Sequence, residues 1–241
     1  MDIKRLTKLA QTSTAVSTVK EAIDDVIQLA FNLVSKPAFV QMGFSSPFDM
    51  WVDDSLVIEL SRYKRDLDAW QEIQGITMDY MHQVKDSKPF TDVISTHYAD
   101  KGLSKALGQH LTPPSVAQGL IRFVNPEHDE RDSKLARGES ILVSEICSGA
   151  GTLLLSLLQD LYSKHPTDMH LVQAVAMDKD PNMVKLTVIQ VMLASLFHGI
   201  PLGSLEVHFG DVITEYQGQG KSTLAYLYRN HRSQKQMPSI N

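Results

Sequence analysis

The stretch 142–158 constrains the fold more than any other part of the chain. It reads Leu-Val-Ser-Glu-Ile-Cys-Ser-Gly-Ala-Gly-Thr-Leu-Leu-Leu-Ser-Leu-Leu. The apolar run Ile141, Leu142 and Val143 suits a buried parallel strand, and Glu145 follows at its end. Gly149 and Gly151 make a tight turn, and Thr152 can cap a leucine-rich helix. A strand, a glycine turn and a helix form the layout that binds nucleotide-like ligands at the mouth of a doubly wound sheet. Glycines there let the backbone approach a ligand with no Cβ in the way. The full dinucleotide pattern requires a third glycine three residues on, and Leu154 stands there. A plain strand-to-helix turn fits these residues equally well, so the flanking sequence decides.

Downstream, 171–177 reads as a second strand ending in Asp178. A helix over about 182–197 follows, stopped by His198-Gly199, and 205–209 alternates like a third strand that ends in Gly210-Asp211. Strand–helix–strand–helix–strand implies parallel pairing with right-handed crossovers. All three strands end in an acid: Glu145, Asp178 and Asp211. Ligands of such sheets bind beyond the strands' carboxyl ends. There the second acid is positioned to accept both ribose hydroxyls, and the third to accept from an adenine amino group. The first can orient the turn or meet a ligand ammonium. Three acids in register argue for a nucleoside ligand.

Upstream, residues 1–35 read as helix, with Ile23, Val26, Ile27, Ala30 and Val34 at helical spacing, ended by Lys36-Pro37. The aromatic segment 39–51 reads as a loop packed on the core in preference to a partner-facing patch. Residues 53–85 read as helix with a stripe of Leu56, Leu60, Tyr63, Leu67 and Trp70, and Gly75 marks a break. A short helix is expected from Thr91 to Tyr98. Another begins near Pro113 or Pro114, with Val116, Leu120, Ile121 and Val124 as its buried face. The charged stretch 125–140 reads as a solvated loop.

Composition removes several classes. Cys147 is the sole cysteine of 241 residues, which allows no internal disulfide and suits a reducing cytoplasm. No apolar run approaches the roughly 20 residues of a membrane span, and the N-terminus has no apolar core of a signal peptide. The net charge of −5 supplies no global field for nucleic acid. His110, His198 and His208 stand apart, so no metal site is expected. The sequence 217–223 imitates a phosphate loop, but Glu215 occupies the position of its first glycine. The tail 216–241 carries Lys221, Arg229, Arg232 and Lys235 interleaved with Tyr226 and Tyr228. It reads as a solvated terminal helix in preference to a phosphate- or base-contacting arm.

With these residues in order, the chain resembles the modification subunit of type I restriction systems, and more broadly the gamma-class N6-adenine DNA methyltransferases. Asp92 to Pro113 is similar to the family's tyrosine-bearing helix followed by G-Q-[FY]-[FY]-T-P, and 145–151 is similar to its D-P-x-C-G-x-G loop. Met177-Asp-Lys-Asp-Pro181 with Leu193 to Ile200, and then Gly210-Asp211, resemble the later motifs. The match covers roughly 90–213. Ile146 and Ser148 depart from the loop pattern.

The resemblance implies an α/β protein: an N-terminal helical domain (1–90), then a partial Rossmann-like methyltransferase sheet binding S-adenosylmethionine (91–215), then the basic tail. It implies cofactor contacts from Gln109, Thr112, Pro113, Glu145, Gly149, Ala150, Gly151, Asp178 and Asp211. DNA is the partner of an active relative. The family's catalytic Asn-Pro-Pro-aromatic motif is missing, and its weak substitute is Thr223 to Arg229 as a degenerate strand followed by Asn230. The expectation is therefore a cytoplasmic, adenine-methyltransferase-like protein of a restriction-modification system that does not act alone. The alternative is a non-catalytic cofactor-binding or interaction module on the same fold. A three-strand sheet would leave its first strand with an open edge, which a protein partner or second copy should cover.

Overall fold

The computed structural model describes residues 2–37, 39–40, 48–95, 112–124, 130–212 and 222–231. Its elements in chain order are α1 (Ile3–Thr12), α2 (Val19–Val34), β1 (Phe48–Val52), α3 (Leu67–Asp86), α4 (Pro114–Val124), α5 (Glu130–Ala136), β2 (Ile141–Ile146), α6 (Thr152–Lys164), β3 (Val172–Asp178), α7 (Pro181–Phe197), β4 (Ser204–Phe209) and β5 (Thr223–Asn230).

The chain is α/β, with one five-stranded mixed sheet in the order β1-β5-β4-β3-β2. Strands β2, β3 and β4 are parallel, as the strand–helix alternation requires, while β5 runs antiparallel to β4 and to β1. The two outer additions correct the sequence reading. Phe48–Val52 is an edge strand rather than a loop, and the tail expected as a solvated helix contains β5 over the stretch also read as a degenerate strand, with Tyr226 and Tyr228 fully buried. The alternation Leu-Ala-Tyr-Leu-Tyr in β5 places both tyrosines on the core face.

Side-chain parity defines the layers. Ile141, Val143, Val172, Ala174, Leu205 and Val207 are buried on one face. Their alternates Leu142, Ser144, Val175 and Glu206 are exposed or half-buried. The helices pack on the first face. Helix α7 is apolar on all sides, and 13 of its residues from Met183 to Ser195 are buried. It lies between the sheet and the pair α2–α3, the position such a helix must take. Each fully buried Val, Leu or Ile in it contributes roughly 1.5–3 kcal/mol. Asp180 caps it through Asn182 N–H at 2.8 Å, with Pro181 in the first turn.

The N-terminal helices share this core instead of forming one of their own. Helix α2 begins with a capping box between Thr18 and Glu21. Its buried Asp25 accepts from Tyr63 Oη at 2.6 Å and from Arg62, which fixes the 53–66 segment to the helix. Gly75 does not break α3. It makes room for Arg5, whose guanidinium would lie 2.9 Å from a Cβ there and pairs with Glu72. Residues 53–65 form two short 3-10 turns rather than a continuous helix. Helix α5 replaces part of the expected solvated loop.

Helix α4 contradicts its expected orientation. Val116 is 50% exposed and Leu120 45%, whereas Ala117 is fully buried. The helix packs along α6 through a small residue and leaves much of its aliphatic stripe facing solvent.

Candidate functional site

The glycine turn joins the carboxyl end of β2 to α6. Cys147, Gly149 and Gly151 all take left-handed backbone angles, with φ of 61°, 53° and 80°. Ser148 N–H donates to Met177 O at 2.9 Å, and Gly151 N–H to Ser148 O at 2.7 Å. The turn is thus folded tightly against the end of β3.

Side chains from three elements brace it. Asp178 Oδ2 accepts from Gly149 N–H at 2.8 Å, and its Oδ1 accepts from Asp180 N–H at 2.9 Å. Thr187 of α7 donates to Gly149 O at 3.0 Å, and Gln190 donates to Ala150 O at 2.8 Å. Glu145 Oε2 accepts from Leu154 N–H at 2.9 Å, tying the strand end to the first turn of α6.

A second cluster lies beneath the helix start. Thr152 Oγ1 donates to buried Asp92 at 2.6 Å, Ser95 N–H donates to the same carboxylate at 2.8 Å, and the two hydroxyls are 3.1 Å apart. Thr152 is therefore a buried tether between α6 and the 92–95 segment. Gly151 occupies the position before the helix and makes no side-chain cap.

Electrostatics follow from this crowding. Burial pushes the Glu145 carboxyl from 4.5 up to about 7; the Leu154 N–H opposes the shift, and the nearby Asp178 and Asp92 add to it. At neutral pH Glu145 is therefore a group that can hold or release a proton.

The three strand-end acids are not in register. Glu145 stands opposite Ala176, two residues before Asp178, and Asp178 stands opposite Phe209, two before Asp211. Each step shifts the next acid by roughly 6–7 Å along the strands. The acids form a diagonal across the sheet's carboxyl edge rather than a row. Gly210 N–H donates to Asp178 O at 3.0 Å and holds the last step of the diagonal together. Beyond it a groove of about 220 Å³ opens between Pro181 and Phe209, with Asp53 and Thr223 on its walls.

The other expected site residues belong to other elements. Thr112 and Pro113 precede α4, where Pro113 O accepts from Val116 and Ala117 N–H. Gln109 lies outside the described residues. Asn230 is not brought to the carboxyl edge: β5 is antiparallel to β4, so Asn230 ends at the opposite end of the sheet, with its N–H on Gly203 O at 2.8 Å. It is 1% exposed and three strands from β2. A catalytic role for Asn230 in this crevice is excluded by that geometry.

Sequence reasoning missed Thr187 and Gln190. Their signal was available: two polar residues three apart on an apolar helix share one face. Among the described residues no cluster of His, Cys, Asp and Glu could hold a metal ion. No family model matches the chain, and neither a curated protein nor a solved structure matches it.

Proposed function

We propose that the chain is a nucleoside-cofactor-binding protein of the adenine-methyltransferase kind, with S-adenosylmethionine as its ligand. The observation that carries this reading is the contact between Gly149 and Asp178 at the carboxyl ends of adjacent parallel strands, beside Glu145. Such a crevice is where sheets of this type receive ribose-bearing ligands. Asp178 keeps lone pairs beyond its two backbone contacts, since a carboxylate has about four acceptor sites. The groove between Pro181 and Phe209 offers apolar surfaces to a purine, and Asp211 follows Phe209 two residues on. Glu145 supplies an anion for a cationic methionine end when it is ionised.

Methyl transfer to adenine requires a pair of acceptors that grip the target amino group in line with the sulfonium. The described residues offer none at this crevice, so catalysis is assigned to an assembly with DNA and a further chain, in the cytoplasm. No helix among the described residues is long and apolar enough to cross a membrane.

A second reading, a non-catalytic module on the same fold, is favoured by one feature. Gly149, Gly151 and Asp178 are all accounted for by contacts within the chain. Photo-crosslinking with radiolabelled S-adenosylmethionine separates the two. Label on peptides spanning 145–151 or 178–181, lost with excess S-adenosylhomocysteine, supports the first; absence of competed label supports the second.

A further inference from the structure

We propose that the free edge of β2 accepts an extended segment of another protein as an added strand, beneath the overhanging helix α4. The proposal deepens the partner reading above and does not depend on the cofactor.

Among the described residues strand β2 ends the sheet, and its six residues pair only with β3. An edge strand presents a row of unpaired N–H and C=O groups, the template for an incoming backbone. The edge lacks two of the usual protections. It contains no proline and no lysine, and Leu142 is 64% and Ile146 48% exposed on the side away from the helices.

The other side of the edge is shaped as a slot. A groove of about 300 Å³ runs between α4, α6 and β2, lined by Leu120, Ile121, Ser144, Glu145, Leu153 and Leu157. Helix α4 thus contributes to a helical layer over a position where the sheet has no described strand. This accounts for the orientation of α4, whose Leu120 faces the groove rather than the core. An added strand would direct alternate side chains into the groove and the intervening ones beside Leu142 and Ile146, the arrangement by which edge-binding segments gain both affinity and specificity.

The same layer selects the occupant. Antiparallel pairing with a second copy keeps both helical layers on one side of the joined sheet. The second α6 and α4 would then enter the space that α4 already fills. A bare segment with no helical layer of its own fits. Glu145 is the ionisable side chain on the groove wall, so the segment carries aliphatic residues at alternate positions and no acid facing Glu145.

The test is selection of random peptides of about seven residues, displayed on phage, against the immobilised full chain. Peptides with alternating aliphatic residues should be enriched, and a synthetic one should slow amide exchange at 141–146 by about tenfold or more. Binding should be lost in Leu120→Glu and Leu153→Glu, but kept in Met78→Glu, which alters an equally exposed residue on α3. Three results overturn the proposal: no enrichment over the Leu153→Glu chain, protection located elsewhere, or edge amides already protected in the free monomer as strongly as those of β3. A dimer that protects 141–146 and is broken by Leu142→Lys would replace it with self-association. None of these readouts involves S-adenosylmethionine, so failure here leaves the cofactor reading untouched.

Discussion

Gly149 N–H donates to Asp178 Oδ2 at 2.8 Å, and this one contact ties the turn after β2 to the end of β3. Asp178 also accepts from Asp180 N–H, so a single carboxylate shapes the turn before α6 and the entry to α7. Asp178→Ala should cost about 1–3 kcal/mol of stability, because both donors lose their acceptor at a site that is 8% exposed. Asp178→Asn, which keeps one carbonyl oxygen, should cost less. Urea titrations of the three chains check this; an unchanged midpoint in Asp178→Ala contradicts the bracing role.

Gly151 tests packing separately. A Cβ there would lie 3.2 Å from Thr187 Cγ2 and Oγ1, on a backbone at φ +80°. Gly151→Ala should destabilise by about 1–3 kcal/mol through the left-handed backbone alone, and Gly151→Val by more. Thr187→Ser combined with Gly151→Ala should recover the part of the steric cost due to Cγ2 and leave the hydroxyl contact and the backbone part. Full additivity of the two changes would show that the contact is relaxed in solution.

Glu145 makes stability depend on pH in a defined direction. Its carboxyl holds a proton more tightly in the folded chain, at about 7 against 4.5. The folded state therefore binds more protons between those values, and stability falls as pH rises through that window. The contribution is fully present below pH 4.5 and lost above about 7, on the order of 3 kcal/mol. Glu145→Gln, which can still accept from Leu154 N–H, should be more stable than the parent at pH 8 and no more stable at pH 4.5. Asp24, pushed up to about 6 by burial, keeps a smaller slope of the same sign in that variant. Thermal melts across pH 4–8 decide; a flat difference contradicts the shift.

Asn230 separates fold from site. Asn230→Ala should lower stability, since the residue is 1% exposed at the end of β5. Affinity for S-adenosylmethionine should stay within about twofold of the parent, because the residue sits at the opposite end of the sheet. A selective loss of binding with unchanged stability would place Asn230 at the crevice after all.

The parts of this fold legible in sequence were those set by local period. The β2–turn–α6 unit, β3, α7 and β4 were readable because apolar runs, Gly149, Gly151, Pro181 and Gly199 mark their limits within a few residues. Strand β1 was not, because what makes it a strand is its pairing with β5 across 174 to 182 residues of chain, and Thr223 to Arg229 was legible only as a degenerate strand whose place between β4 and β1 is set by pairing. The stripe of Val116 and Leu120 predicted a buried face, but the choice of α6 as the surface that α4 meets, through Ala117, is a tertiary fact. The acids Glu145, Asp178 and Asp211 were correctly found at strand ends. Their diagonal was hidden because register depends on which residues pair. Asp92, Thr187 and Gln190 support the turn from 60 and about 40 positions away, a distance that spacing arguments do not span.

The central claim is that the crevice between the glycine turn and Asp178 binds a nucleoside cofactor. Calorimetric titration of the full chain with S-adenosylmethionine, repeated with S-adenosylhomocysteine and in two buffers of different ionisation enthalpy, tests it most directly. The account predicts one-to-one binding, weakened by about tenfold in Asp178→Ala, with proton release near pH 6.5 for the cationic ligand as Glu145 ionises. Absence of heat at millimolar ligand, or binding indifferent to Asp178→Ala, contradicts it.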